Sequence, residues 1–148
     1  QPYAEEVIEK AARTAAEKYP GAVLEFADKY KDQPYAEEVI EKAARTAAEK
    51  YPGAVLEFAD KYKDQPYAEE VIEKAARTAA EKDPGTALGL ADSYTDQPYA
   101  EEVIMAAAEK NPRAALEFAD KYKDQPYAKE VIEKAQSLLH QQESQTNQ

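Results

Sequence analysis

The string QPYAEEVIEKAARTAAEKYPGAVLEFADKYKD occupies residues 1–32 and returns without one change at residues 33–64. Its first 18 letters return again at 65–82, after which the unit drifts to DPGTALGLADSYTD at 83–96. A fourth unit, 97–124, is four residues shorter, and a fifth begins at Gln125 with QPYAKEVIEKA. Self-similarity at a period of about 20–50 residues marks a repeat architecture, in which one unit cannot bury its apolar face alone and stacking completes the core.

Each unit reads as two helices. Ala36, Val39, Ile40, Ala43, Ala44, Ala47 and Ala48 recur at the three-and-four spacing of one helical face. Opposite them lie Glu38, Glu41, Lys42, Arg45 and Glu49, with Glu38–Lys42 and Glu41–Arg45 in the favourable i,i+4 order. A second, shorter helix is predicted from about Pro52 to Tyr62, with Val55, Phe58, Ala59 and Tyr62 buried and Leu56 on a flank. Pro34 and Pro52 suit a first helical turn, where a missing N–H costs nothing. Asp83 and Asn111 are strong N-cap residues, whereas Tyr19 and Tyr51 at the same phase cannot cap in that way. No run alternates with period two, so strands are not expected. In the fourth unit VIMAAAEK replaces VIEKAARTAAEK, which predicts a first helix one turn shorter with its apolar stripe preserved. Unit three should be the least stable, because Gly89 stands where Glu25, Glu57 and Glu117 stand elsewhere, and Leu90 and Ala87 replace Phe and Val.

Tyr35, Ala36, Val39, Ile40, Ala43, Ala47, Pro52, Leu56, Phe58, Ala59 and Tyr62, with equivalents in each full unit, make the pattern resemble the α-solenoid helix-pair repeats grouped with the tetratricopeptide and HEAT families. The Trp, Leu-Gly and Tyr signature of tetratricopeptide repeats is missing, and the period of 32 is shorter than that of HEAT units. The class implies an all-α fold, a right-handed α-solenoid of stacked antiparallel helix pairs with about nine helices. It also implies a non-catalytic scaffold for protein or peptide interaction. The expected organisation is a single array over 1–140, with units 1–32, 33–64, 65–96 and 97–124 and a cap at 125–140, then a disordered polar tail at 141–148. Two identical units beside drifted ones point to a recent duplication, or to an engineered extension of a natural C-terminal part.

Composition narrows the chemistry. The chain has 148 residues, 19 Lys and Arg against 30 Asp and Glu, a formal net charge of −11, and no Cys. Such a balance disfavours nucleic-acid binding, which needs clustered cations. Without Cys there is no disulfide framework, thiolate metal site or thiol nucleophile. No stretch approaches a membrane span or a secretion signal, which together with the lack of Cys points to a soluble, cytoplasmic setting. A first residue of Gln rather than Met marks a trimmed or partial chain.

His140, the only His, sits in a polar run and reads as solvated, so no triad or His-based metal site can be assembled. Glu5–Glu6, Glu37–Glu38, Glu69–Glu70 and Glu101–Glu102 point about 100° apart and favour the helix dipole rather than a shared substrate. Asp28 and Asp32 lack the glycine and spacing of an EF-hand loop. No catalytic, cofactor-binding or metal residue is therefore expected, and no enzyme activity. The candidate interaction surface is Tyr3, Tyr35, Tyr67, Tyr99 and Tyr127, one per unit at the edge of the apolar face, where tyrosines and acidic neighbours suit a basic or proline-containing peptide. The N-terminal unit has no cap of its own, so Tyr3, Val7 and Val23 should face water. That predicts a homodimer through the N-terminal end.

Overall fold

Proline opens the short helices, and Ala, Glu and Lys fill the long ones, so local propensity and apolar period agree along the chain. The computed structural model describes residues 2–146, and among these there are ten α-helices, three 3-10 turns and no strand. The fold is all-α. The described residues fall into two compact units, Gln1–Ala75 and Ala76–Gln148, with the division inside one long helix, where the repeat pattern reads as one array.

The first unit holds α1 (Pro2–Lys18), α2 (Pro20–Glu25), α3 (Ala27–Tyr30), α4 (Ala36–Lys50), α5 (Pro52–Glu57), a 3-10 turn at Ala59–Lys61 and the start of α6 (Ala68–Lys82). Here α4 packs against α1, α2 and α5, and α2 packs against α5. All seven residues of the predicted stripe, Ala36 to Ala48, are buried. Small side chains bring helices close: a Cβ built on Gly21 would lie 3.6 Å from the Ala54 Cβ. The second unit holds the end of α6, α7 (Pro84–Gly89), a 3-10 turn at Ala91–Ser93, α8 (Ala100–Lys110), α9 (Pro112–Glu117), a 3-10 turn at Ala119–Lys121 and α10 (Ala128–Thr146). In it α7 packs on α8 and α9, and α10 packs on α8 and α9. As the deletion predicts, α8 has 11 residues where α6 has 15.

The second helix of each repeat is not continuous. α5 stops at Phe58, whose φ of −103° and ψ of 15° leave the helical well, and a 3-10 turn follows. A side chain explains the break. The Tyr62 hydroxyl donates to the Val55 carbonyl at 2.7 Å, and Tyr94 and Tyr122 do the same to the Ala87 and Ala115 carbonyls, each at 2.5 Å. A carbonyl taken by a hydroxyl from seven residues on ends the i→i+4 ladder at that point. The chain then steps through tight turns, with Gln65 N–H on the Tyr62 carbonyl and Ala68 N–H on the Gln65 carbonyl, each at 3.0 Å. No described residue, glycine included, has positive φ. The flanks also differ from the sequence reading: Leu56 is buried and Phe58 only half-buried.

Capping follows the sequence. The Asn111 side chain accepts from Ala114 N–H at 3.0 Å and Asp83 from Thr86 N–H at 3.4 Å, whereas Tyr19 and Tyr51 make no side-chain cap. The expected disordered tail is corrected by α10, which runs to Thr146; Gln, Glu and Ser carry no helix-stopping Gly or Pro. Residues 147 and 148 of that tail lie outside the described residues.

Candidate interaction site

The five repeat-phase tyrosines do not share one environment. Tyr3 on α1 is 78 % exposed, and Tyr35 and Tyr127 are half-buried. Tyr67 and Tyr99 are core residues, 5 % and 7 % exposed. Each lies against the tyrosine that breaks the preceding helix, Tyr62 on Tyr67 at 6.2 Å between ring centroids and Tyr94 on Tyr99 at 6.0 Å. Stacking between these rings supplies bulk that the Ala-rich faces cannot. A tyrosine ladder exposed along its whole length is therefore not what forms. Arg77 also stands 5.8 Å from the Tyr99 ring centroid.

Hydroxyl chemistry separates the buried tyrosines further. Tyr127 donates to the Thr95 carbonyl at 3.2 Å, while the buried Tyr67 hydroxyl has no hydrogen-bond partner. Burial, then the Glu41 and Glu37 carboxylates, push Tyr67 up to about 12, and Arg45 pulls weakly the other way. Burial, with help from Asp96 and Glu101, takes Tyr127 to about 12 as well. Tyr62 and Tyr94 are raised further by burial.

Tyr67 lines a groove of about 520 Å³ in the first unit, between the turn after α2 and the turn after α5. Its charged lining is mostly acidic: Asp28, Glu37, Asp60 and Asp64 against Lys31 and Lys61. Lys61 is engaged, donating to the Glu25 carbonyl, standing 3.6 Å from Asp28 and 5.5 Å from the Phe58 ring centroid. Sequence reading passed over this groove because its walls come from turns one 32-residue repeat apart. The only trace in the string is the recurrence of Asp-Lys-Tyr-Lys-Asp at 28–32 and 60–64, which returns at 120–124.

A second surface is apolar. Val7 and Ile8 of α1 are 49 % and 53 % exposed, while Val39 and Ile40, the same letters one repeat later, are 2 % and 7 % exposed. With Tyr3 they leave an open strip along α1; Tyr19 and Tyr51 are exposed too. Val23 departs from the sequence reading, being 5 % exposed and so part of the core.

Ion pairs join successive long helices. Arg13 bonds both Glu9 and Glu38, Arg45 bonds Glu41 at 2.9 Å and Glu70 at 3.1 Å, and Arg77 bonds Glu102 at 3.1 Å. Lys42 meets Glu17 and Lys74 meets Glu49, each at 2.5 Å. Arg13 holds the Glu38 carboxyl below the usual carboxylate range, and Lys42 does so for Glu17. These pairs are solvent-exposed, so each contributes little to stability.

Among the described residues no three His, Asp or Glu stand together as a metal site. Nor is any helix among them long and apolar enough to cross a membrane. Comparison with family models, with curated proteins and with solved structures returns no match.

Proposed function

We propose that this chain is a non-catalytic helical-repeat scaffold for protein or peptide interaction, built as a right-handed solenoid by recent duplication or by engineered extension. The observation that supports this reading is the open strip of α1. Tyr3, Val7 and Ile8 keep their apolar surface in water, although the second copy of the same string buries Val39 and Ile40. Exposed contiguous apolar surface of this kind marks an interaction site. Selection from a displayed peptide library on the immobilised chain tests it. Enriched peptides should be recovered on the wild type and lost on the double variant Val7→Glu, Ile8→Glu; a library that yields no enriched peptide overturns the reading.

The same strip favours a second reading, a self-assembling module whose partner is another copy. Two α1 faces meeting about a two-fold axis would close the surface without leaving an open end. A net charge of −11 per chain opposes the approach, so a dimer should strengthen as salt screens repulsion. Light scattering across concentration at low and high salt distinguishes the two. A mass that stays monomeric throughout removes the dimer and leaves the scaffold.

A further inference from the structure

The helix α4, which buries Val39 and Ile40, has its cover within the first unit: α1 and α2 both pack on it. Polar links accompany that cover. Arg13 of α1 bonds Glu38, and Glu17 of α1 meets Lys42 at 2.5 Å. Beyond α5, Lys61 donates to the Glu25 carbonyl and stands 3.6 Å from Asp28. The first repeat carries the same receiving letters on a face that is open. Val7, Ile8 and Ala11 are exposed where Val39, Ile40 and Ala43 are buried. Glu6 and Lys10, at the phase of Glu38 and Lys42, are exposed too. On α3, Lys29 stands 4.9 Å from the Phe26 ring centroid, as Lys61 stands 5.5 Å from that of Phe58. The open face is thus built like the covered one, cation over ring included.

We propose that the open face of α1 seats a helix pair of the repeat's own kind, presented by another molecule and held in the register that α1 and α2 take on α4. The inference rests on the scaffold reading and names the partner of its α1 strip. The guest is a long Ala-lined helix with Arg and Glu four residues apart, followed by a short helix opened by Pro. Its Arg13 equivalent meets Glu6 and its Glu17 equivalent meets Lys10, so apolar cover and opposite charge coincide only in the repeat register. Small side chains on both partners allow the close approach, as Gly21 and Ala54 show inside the chain. Such a contact is head-to-tail, because the guest offers a different face from the one it meets. Within the chain that guest face of the first repeat is already occupied by α4, so a free repeat is the fitting guest.

The probe is a synthetic peptide of residues 1–32, labelled with fluorescein and titrated against the full chain at about 0.15 M salt, where charges beyond about 8 Å are screened. Alone it should be largely unfolded, because one repeat cannot bury its apolar face. Anisotropy should rise to saturation at one peptide per chain. Unlabelled peptide and chain together should show more helical ellipticity than the two measured apart, since docking orders the guest. Val7→Glu with Ile8→Glu in the chain should weaken binding at least about tenfold. A double-mutant cycle reads the register: Glu6→Arg in the chain combined with Arg13→Glu in the peptide should bind about threefold tighter than the two separate losses predict. A scrambled peptide that binds equally well, or a cycle without coupling, overturns the proposal. No binding of the repeat peptide, while a library still selects other sequences on α1, overturns this partner and leaves the scaffold reading; failure of both overturns the two together.

Discussion

Ile8 of α1 is about half exposed and Ile40 of α4 is buried, although the 32 residues around each are the same. Beyond this pair, the turn after α2 forms α3, an α-helix, where the turn after α5 is 3-10, and Phe26 is more exposed than Phe58. One string therefore takes two structures at its margins, according to whether another helix lies over it. In a repeat array the energetic weight of a residue belongs to its neighbours as much as to itself.

Truncating both isoleucines is the most direct attempt to break that comparison. Ile40→Ala should cost about 2–5 kcal/mol and Ile8→Ala within about 0.5 kcal/mol, read from urea midpoints at constant slope. Equal costs would show that α1 is covered in solution.

Covered tyrosines extend the comparison to pH. Tyr67, Tyr122 and Tyr127 are held up to about 12, with burial the leading cause. The folded state then keeps protons that the unfolded chain gives up near 10, so their stabilisation is complete below about pH 10 and is lost as pH rises toward 12. Helical ellipticity followed from pH 9 to 12.5 should show a cooperative alkaline loss; a melting temperature unchanged up to pH 12 would count against it.

Smaller effects sit at the helix starts. Tyr51→Asp and Tyr19→Asp should each add about 1 kcal/mol by supplying the cap that Asp83 and Asn111 already provide, and Asp83→Ala should remove a similar amount. Gly89→Ala should add about 0.5–1 kcal/mol, since its Cβ would meet the Phe118 ring at 3.5 Å, an ordinary contact. Hydrogen exchange checks this: protection over 83–95 should lie below that over 51–63 and rise in the Ala variant.

Long helices were legible because Ala, Val and Ile recur at helical spacing, and α8 lost one turn as its four missing letters require; Pro34, expected in a first helical turn, lies instead in the turn before α4, which begins at Ala36. The break at Phe58 was not legible, since it depends on the Tyr62 hydroxyl reaching the Val55 carbonyl rather than on any helix-breaking residue. Polar composition misdirected the reading of 141–146, where an unbroken run of helix-tolerant residues carries α10 onward. Among the five tyrosines, phase along the sequence identified equivalent positions but not their burial. The groove at Tyr67 needed distances between loops, which no periodicity encodes.

The Arg–Glu pairs carry a consequence for how such a chain changes length. Arg13–Glu38, Arg45–Glu70 and Arg77–Glu102 all span 25 residues, so each 32-residue unit brings a donor for the next unit and an acceptor for the one before. Whole units can be added or lost upstream of residue 97 without a mismatched joint, as links are added to a bracelet. α8 lacks any cation before Lys110 and so offers nothing to Glu130 in that register. The register of Arg–Glu links therefore runs unbroken from Arg13 to Glu102 and stops at the fourth unit, which acts as the clasp.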